Sequence, residues 1–130
     1  MKYVILIHSN PQPWAHPTQR YTDEGRALTE EGHQAMDRHF DEVWDPVWTS
    51  DEFVSAEALG DPASASLFRW TPDHHVASDG PYAETKEHLA GFFIIDVETR
   101  ERAEELASAF AQPGGVVELR PVMSGEGDDQ

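Results

Sequence analysis

Cysteine is absent from this 130-residue chain, so neither disulfides nor thiol chemistry contribute, which fits a reducing compartment such as the cytoplasm, the localisation expected. Cations are scarce too. Nine Lys and Arg, only Lys2 and Lys86 being lysines, stand against 25 Asp and Glu, a formal net charge of −16. No direct nucleic-acid partner is therefore expected, because phosphate affinity comes from cationic contacts that the chain can hardly supply. The acidic surface also suits high salt, where screening relieves self-repulsion. Long apolar runs are missing, so no membrane span is expected, and Tyr3 to Ile7 is too short for the apolar region of a secretion signal. There is no glycine-rich phosphate loop, nucleophile elbow, dinucleotide fingerprint or HExxH helix, and no cofactor is expected. The seven histidines show no ligand spacing. His74 and His75 are adjacent and would point to opposite faces of a strand, so no metal site is expected. The length fits one domain with a single core.

What is present concentrates in Asp79 to Val97. Asp79-Gly80-Pro81 is a turn with a mechanism: Gly80 accepts angles that a Cβ forbids, Pro81 fixes φ, and Asp79 can bond backbone N–H groups ahead of it. A short helix is predicted from Tyr82 to Leu89, with Glu84 and His88 one turn apart, ended by Gly91. Phe92-Phe93-Ile94-Ile95 then reads as a strand apolar on both faces, closing at Asp96 and Val97.

These residues carry a resemblance. Asp79, Gly80 and Pro81, then Ala83, Glu84, Thr85, Lys86 and Glu87, then Gly91, Phe92, Phe93, Asp96 and Val97 match the signature of the YCII-related, or DGPF-domain, family of small bacterial proteins. The chain resembles that family from Tyr3 to Val122, including Glu57-Ala58-Leu59. It departs from it at Tyr82, which stands where the signature has Phe, and over Trp44 to Glu52. The resemblance implies a dimeric α+β barrel. It also implies two unlike jobs: a His and Asp pair doing lyase- or isomerase-like steps on small molecules, or association with extracytoplasmic-function sigma factors.

Elsewhere the pattern supplies the scaffold. Tyr3 to Ile7 reads as a strand, and Pro11, Pro13 and Pro17 force an irregular loop carrying Trp14 and His16, either a lid or a surface connection. From Thr22 to Val43 the spacing of Gly25, Leu28, Gly32, Ala35, Met36, His39, Phe40 and Val43 predicts one long helix. His33 and Asp37 then fall toward solvent, while His39 lies in the apolar stripe, either packed or aimed into a cavity. Trp44 and Trp48 fall in a linker and would cover a sheet edge or a subunit contact. Strands are expected at Phe53 to Leu59, Ala65 to Trp70 and from His74 or His75 to Ala77. A helix capped by Thr99 is expected from Glu101 to Phe110, and a last strand from Val116 to Arg120. Residues 124–130 hold no apolar side chain and are expected to form a disordered acidic tail after a single domain spanning residues 1–123.

The element order is that of a ferredoxin-like α+β sandwich. Its two helices cover one face of the sheet, yet the first and central strands are apolar on both, so a homodimer with sheets face to face is expected. For the site, Asp79 is the candidate general base and His39 its candidate catalytic partner; Tyr82, Glu84 and Lys86 are candidate ligand-binding groups, Lys86 for an anionic substrate. The structural alternative has Asp79 satisfying the local backbone and Lys86 pairing with an acid. Two functions stay open: a small-molecule-binding protein with acid–base activity, or a non-catalytic module regulating a sigma factor.

Overall fold

A computed structural model describes residues 1–14, 19–73, 75–81 and 87–123. Its strands are β1 (Lys2–Ser9), β2 (Phe53–Ala58), β3 (Ser66–Trp70), β4 (His75–Asp79), β5 (His88–Asp96) and β6 (Val116–Pro121). Its helices are α1 (Asp23–Arg26), α2 (Glu30–Trp44) and α3 (Arg100–Ser108). Four strands form one antiparallel sheet in the order β2-β5-β1-β6, and β3 and β4 pair as a separate hairpin. The fold is α+β, and this strand order is compatible with a ferredoxin-like sandwich.

Strand alternation sorts the apolar residues. Tyr3, Ile5 and Ile95 turn into a buried core with Trp44, Val47, Val97, Ala103 and Leu106. Their neighbours Val4, Leu6, Phe92 and Ile94 form cross-strand pairs, Val4 with Ile94 and Leu6 with Phe92, on the other face, and are half-buried. No described helix joins the core from that side.

The expected single helix from Thr22 is two. Thr22 and Thr29 each turn a hydroxyl oxygen back to accept an N–H, from Gly25 and Gly32 respectively, both at 3.0 Å. The sequence repeats Thr-acid-acid-Gly, Thr22-Asp23-Glu24-Gly25 and then Thr29-Glu30-Glu31-Gly32, and each copy starts a helix.

The buried face of α2 also differs from the expected one. Trp44 is not in a linker: it ends α2, is 0% exposed, and its indole N–H donates to the Leu106 carbonyl at 3.0 Å, tying α2 to α3. With Trp44 and Val47 in the core, the helix is rotated so that His33 is 6% exposed and His39 faces solvent. His33 keeps one unpaired nitrogen, Nδ1, among the described residues. Trp48 is partly exposed and packs against Trp44 with its ring tilted by 42° and the ring centres 4.9 Å apart.

Gly91 does not end a helix, and His88 and Leu89 are not helical: all three belong to β5. A Cβ on Gly91 would stand 2.8 Å from the Glu57 carbonyl oxygen, so the glycine lets β2 close on β5. Residues 82–86, where most of the expected helix falls, and the 124–130 tail lie outside the described residues. α3 begins at Thr99 as expected, the Thr99 hydroxyl accepting from the Arg102 N–H at 3.1 Å.

Candidate functional site

Small residues shape a cavity between the sheet and α2. Ala56 and Ala58 in β2 and Ala90 and Gly91 in β5 lie side by side, and side chains this short do not fill the space under α2. A cavity of about 640 Å³ remains, within the range of small-molecule sites. Phe93 of β5, Phe40 of α2 and Phe110 after α3 wall it with aromatic rings. Phe93 and Phe110 have ring centres 4.6 Å apart, and Phe40 meets Phe110 edge-on at 5.0 Å. Ile7, Pro11 and Pro113 add apolar surface, and Ser9, Gln19, Gln112, Asp37, Asp41 and Glu57 are its polar residues.

Polar groups around α1 fasten the segments that carry Gln19, Asp37 and Pro113 of the lining. Thr22, 2% exposed, places its hydroxyl 2.8 Å from the Gln19 carbonyl and 3.1 Å from that of Pro113, joining the loop after β1 to the loop before β6. Gly114 has φ +83° and packs so closely on Thr22 that a Cβ would overlap it, at 2.4 Å. Arg20 donates to both Glu30 carboxylate oxygens at 2.8 and 3.2 Å and to Asp37 at 3.3 Å. The hydrogen bond from Arg20 holds the Glu30 carboxyl below its ordinary pKa. Asp41, one turn beyond Asp37, has no side-chain partner among the described residues.

A second cavity, of about 730 Å³, lies beside the Gly80-Pro81 corner. His8, His88, Leu89 and Val116 from the sheet border it, with Leu59 to Pro62, Ser64, Ala65, Pro81 and Glu87. Gly80 has φ +98° and donates its N–H to the Ala65 carbonyl at 2.7 Å, so the corner adopts the turn expected of a glycine. His8 stands 3.7 Å from Glu118 across β1 and β6.

Of the sequence-selected residues, only Asp79 and His39 fall among the described ones. Asp79 ends β4 in an exposed position opposite Ser66, and His39 is exposed on α2; neither borders a cavity. Tyr82, Glu84 and Lys86 lie outside the described residues, as does His16 of the loop after β1. Trp14 of that loop donates its indole N–H to the Leu59 carbonyl at 2.9 Å. Sequence reasoning passed over Asp37 as a solvent-facing residue, and over Asp41, Ser9 and Gln19. Among the described residues, no group of three or more His, Cys, Asp or Glu is placed to hold a metal ion, and no helix is long and apolar enough to cross a membrane.

Fold and cavity together define an α+β protein that keeps a ligand-sized space between its sheet and its first long helix. The chain belongs to the YCII-related domain family, whose model matches residues 1–125. It is similar to an uncharacterized protein of Rhizobium meliloti (strain 1021), 35% identical over an 80-residue alignment that covers 55% of this chain and 64% of that protein. The chain thus spans just under two thirds of that relative's length.

Proposed function

We propose that this chain is a small-molecule-binding protein whose ligand lies in the cavity between α2 and the sheet. One observation carries the reading: a space of about 640 Å³ floored by Ala56, Ala58, Ala90 and Gly91 and walled by Phe40, Phe93 and Phe110. Filling it with an apolar body removes aromatic surface from water, and the polar residues at its edge fix orientation. An acid–base step of lyase or isomerase type is the finer form of this reading, with Asp79 and His39 as its groups. Both stand in solvent away from the cavity, so the geometry supports binding over turnover. The test uses indole, a neutral flat probe, added to the isotope-labelled chain. Saturable amide shifts at Ala56, Ala90 and Phe93 that disappear in Ala56→Phe support the site. Shifts confined to Phe68 and Trp70 overturn it.

The same proposal includes a homodimer. Val4, Leu6, Phe92 and Ile94 form an apolar sheet face that no described helix joins to the core, and a second copy covers it by the same surface. A second reading, a non-catalytic module acting on a sigma factor, is favoured by the β3–β4 hairpin, where Phe68 and Trp70 are each 72% exposed. Two residues apart on one strand, they share a face. Trp48, 40% exposed, adds apolar surface outside the core, whereas Trp44 lies within it.

A further inference from the structure

We infer that the cavity under α2 selects a ligand made of a flat apolar body carrying a cationic group, such as a protonated amine; this rests on the cavity being a binding site. Three features of the lining agree. Its charged residues are all acids, Asp37, Asp41 and Glu57, and no Lys, Arg or His is among the described residues that border it. An anionic ligand would meet no cationic partner among the described residues of the lining and would enter against a chain of net charge −16. The wall of Phe40, Phe93 and Phe110 is aromatic, and the quadrupole of an aromatic face attracts cations and not anions.

The two aspartates on α2 differ in a way that assigns the role. Asp37 is already engaged by the Arg20 guanidinium at 3.3 Å, so the chain itself places a cation against that turn of the helix. Asp41 stands one turn further along, borders the cavity and has no side-chain partner among the described residues. A ligand amine extending from the aromatic wall toward Asp41 repeats for that carboxylate what Arg20 does for Asp37.

Three probes of one shape separate charge from shape: indole, tryptamine with its protonated amine, and indole-3-acetate with its carboxylate. Titrated into the full chain at neutral pH and low salt, with affinity from calorimetry and location from amide shifts, tryptamine is expected to bind about fivefold tighter than indole, a gap in the range of one exposed ion pair. Indole-3-acetate should be the weakest. Asp41→Asn removes a charge from an exposed position, so it should melt like the parent and bring tryptamine within about twofold of indole. Equal binding of indole and tryptamine, tighter binding of indole-3-acetate, or a tryptamine preference that survives Asp41→Asn overturns the inference while the binding site stands. If indole itself leaves the amides of Ala56, Ala90 and Phe93 unmoved, the site and the inference fall together.

Discussion

Thr22 does three things with one hydroxyl. It accepts the Gly25 N–H at 3.0 Å to start α1 and sits against the carbonyls of Gln19 and Pro113, all in a buried setting. Valine has the same shape and none of these bonds. Thr22→Val is therefore expected to cost about 1–2 kcal/mol, the range for a lost helix cap and an unpaired buried group, while Thr22→Ser keeps the bonds and most of the stability. Urea unfolding of the three chains checks this, and equal midpoints for Val and Thr would show that the hydroxyl carries nothing. Gly91 makes a different kind of claim, because the atom a Cβ would strike is backbone, the Glu57 oxygen at 2.8 Å. Backbone cannot swing aside as a side-chain end can, so Gly91→Ala is expected to cost about 1–3 kcal/mol. Amide exchange should quicken first at the β2–β5 pairing, including the Leu59 N–H that bonds the Ala90 carbonyl; a loss of protection spread evenly over the chain would argue against a local clash.

Between elements, α3 is fastened to the turn before β2 by one ion pair. Arg102 donates to both oxygens of Glu52 at 2.9 and 2.8 Å and to Glu105 at 2.6 Å. The hydrogen bond from Arg102 lowers the Glu52 pKa in the folded chain. A lowered folded-state pKa means that the unfolded chain binds the proton first as pH falls. The pair thus stabilises fully above the ordinary carboxylate range and its contribution disappears as pH drops through the folded-state value. Glu52→Gln is expected to cost about 0.5–1 kcal/mol at neutral pH, the size for a partly exposed pair, and to match the parent at low pH. Urea melts across that range check it: a gap that stays constant with pH would assign the loss to packing. At this scale much was legible in the sequence. β1, β5, β6 and the Thr99 cap of α3 follow from apolar runs and local chemistry. The split of α1 from α2 was written twice, at Thr22 and Thr29, but the apolar stripe across Gly25, Leu28 and Gly32 competed with it. The face of α2 was misread by leaving out Trp44 and Val47, which put His39 inside and His33 outside, the reverse of what their exposures show.

Across the molecule, the cavity could not be read locally, because its floor is Ala56 and Ala58 of one strand beside Ala90 and Gly91 of another, more than thirty positions away. Small residues signal space only once pairing is known. The apolar second face of the sheet, by contrast, was legible, because β1 and β5 carry apolar side chains on both sides. Its cost and its remedy now meet the charge. A second copy laid on Val4, Leu6, Phe92 and Ile94 buries apolar surface, yet brings together two chains of −16 each. The repulsion between them is long-ranged and weakens once the screening length falls from about 10 Å at 0.1 M salt to about 3 Å at 1 M, whereas the apolar contact does not depend on that screening. Self-association is therefore expected to tighten, and the melting temperature to rise, between those two salt concentrations. Sedimentation at micromolar concentration should give roughly twice the 14.6 kDa chain mass, with the melting temperature increasing with protein concentration as linkage requires. Phe92→Asp places a charge in the middle of the face and should return the chain to its single mass at both salts without undoing the fold, since Phe92 is outside the buried core. A parent chain that sediments as a single copy at 1 M salt, or a Phe92→Asp chain that still doubles, would mean that the face is covered in some other way.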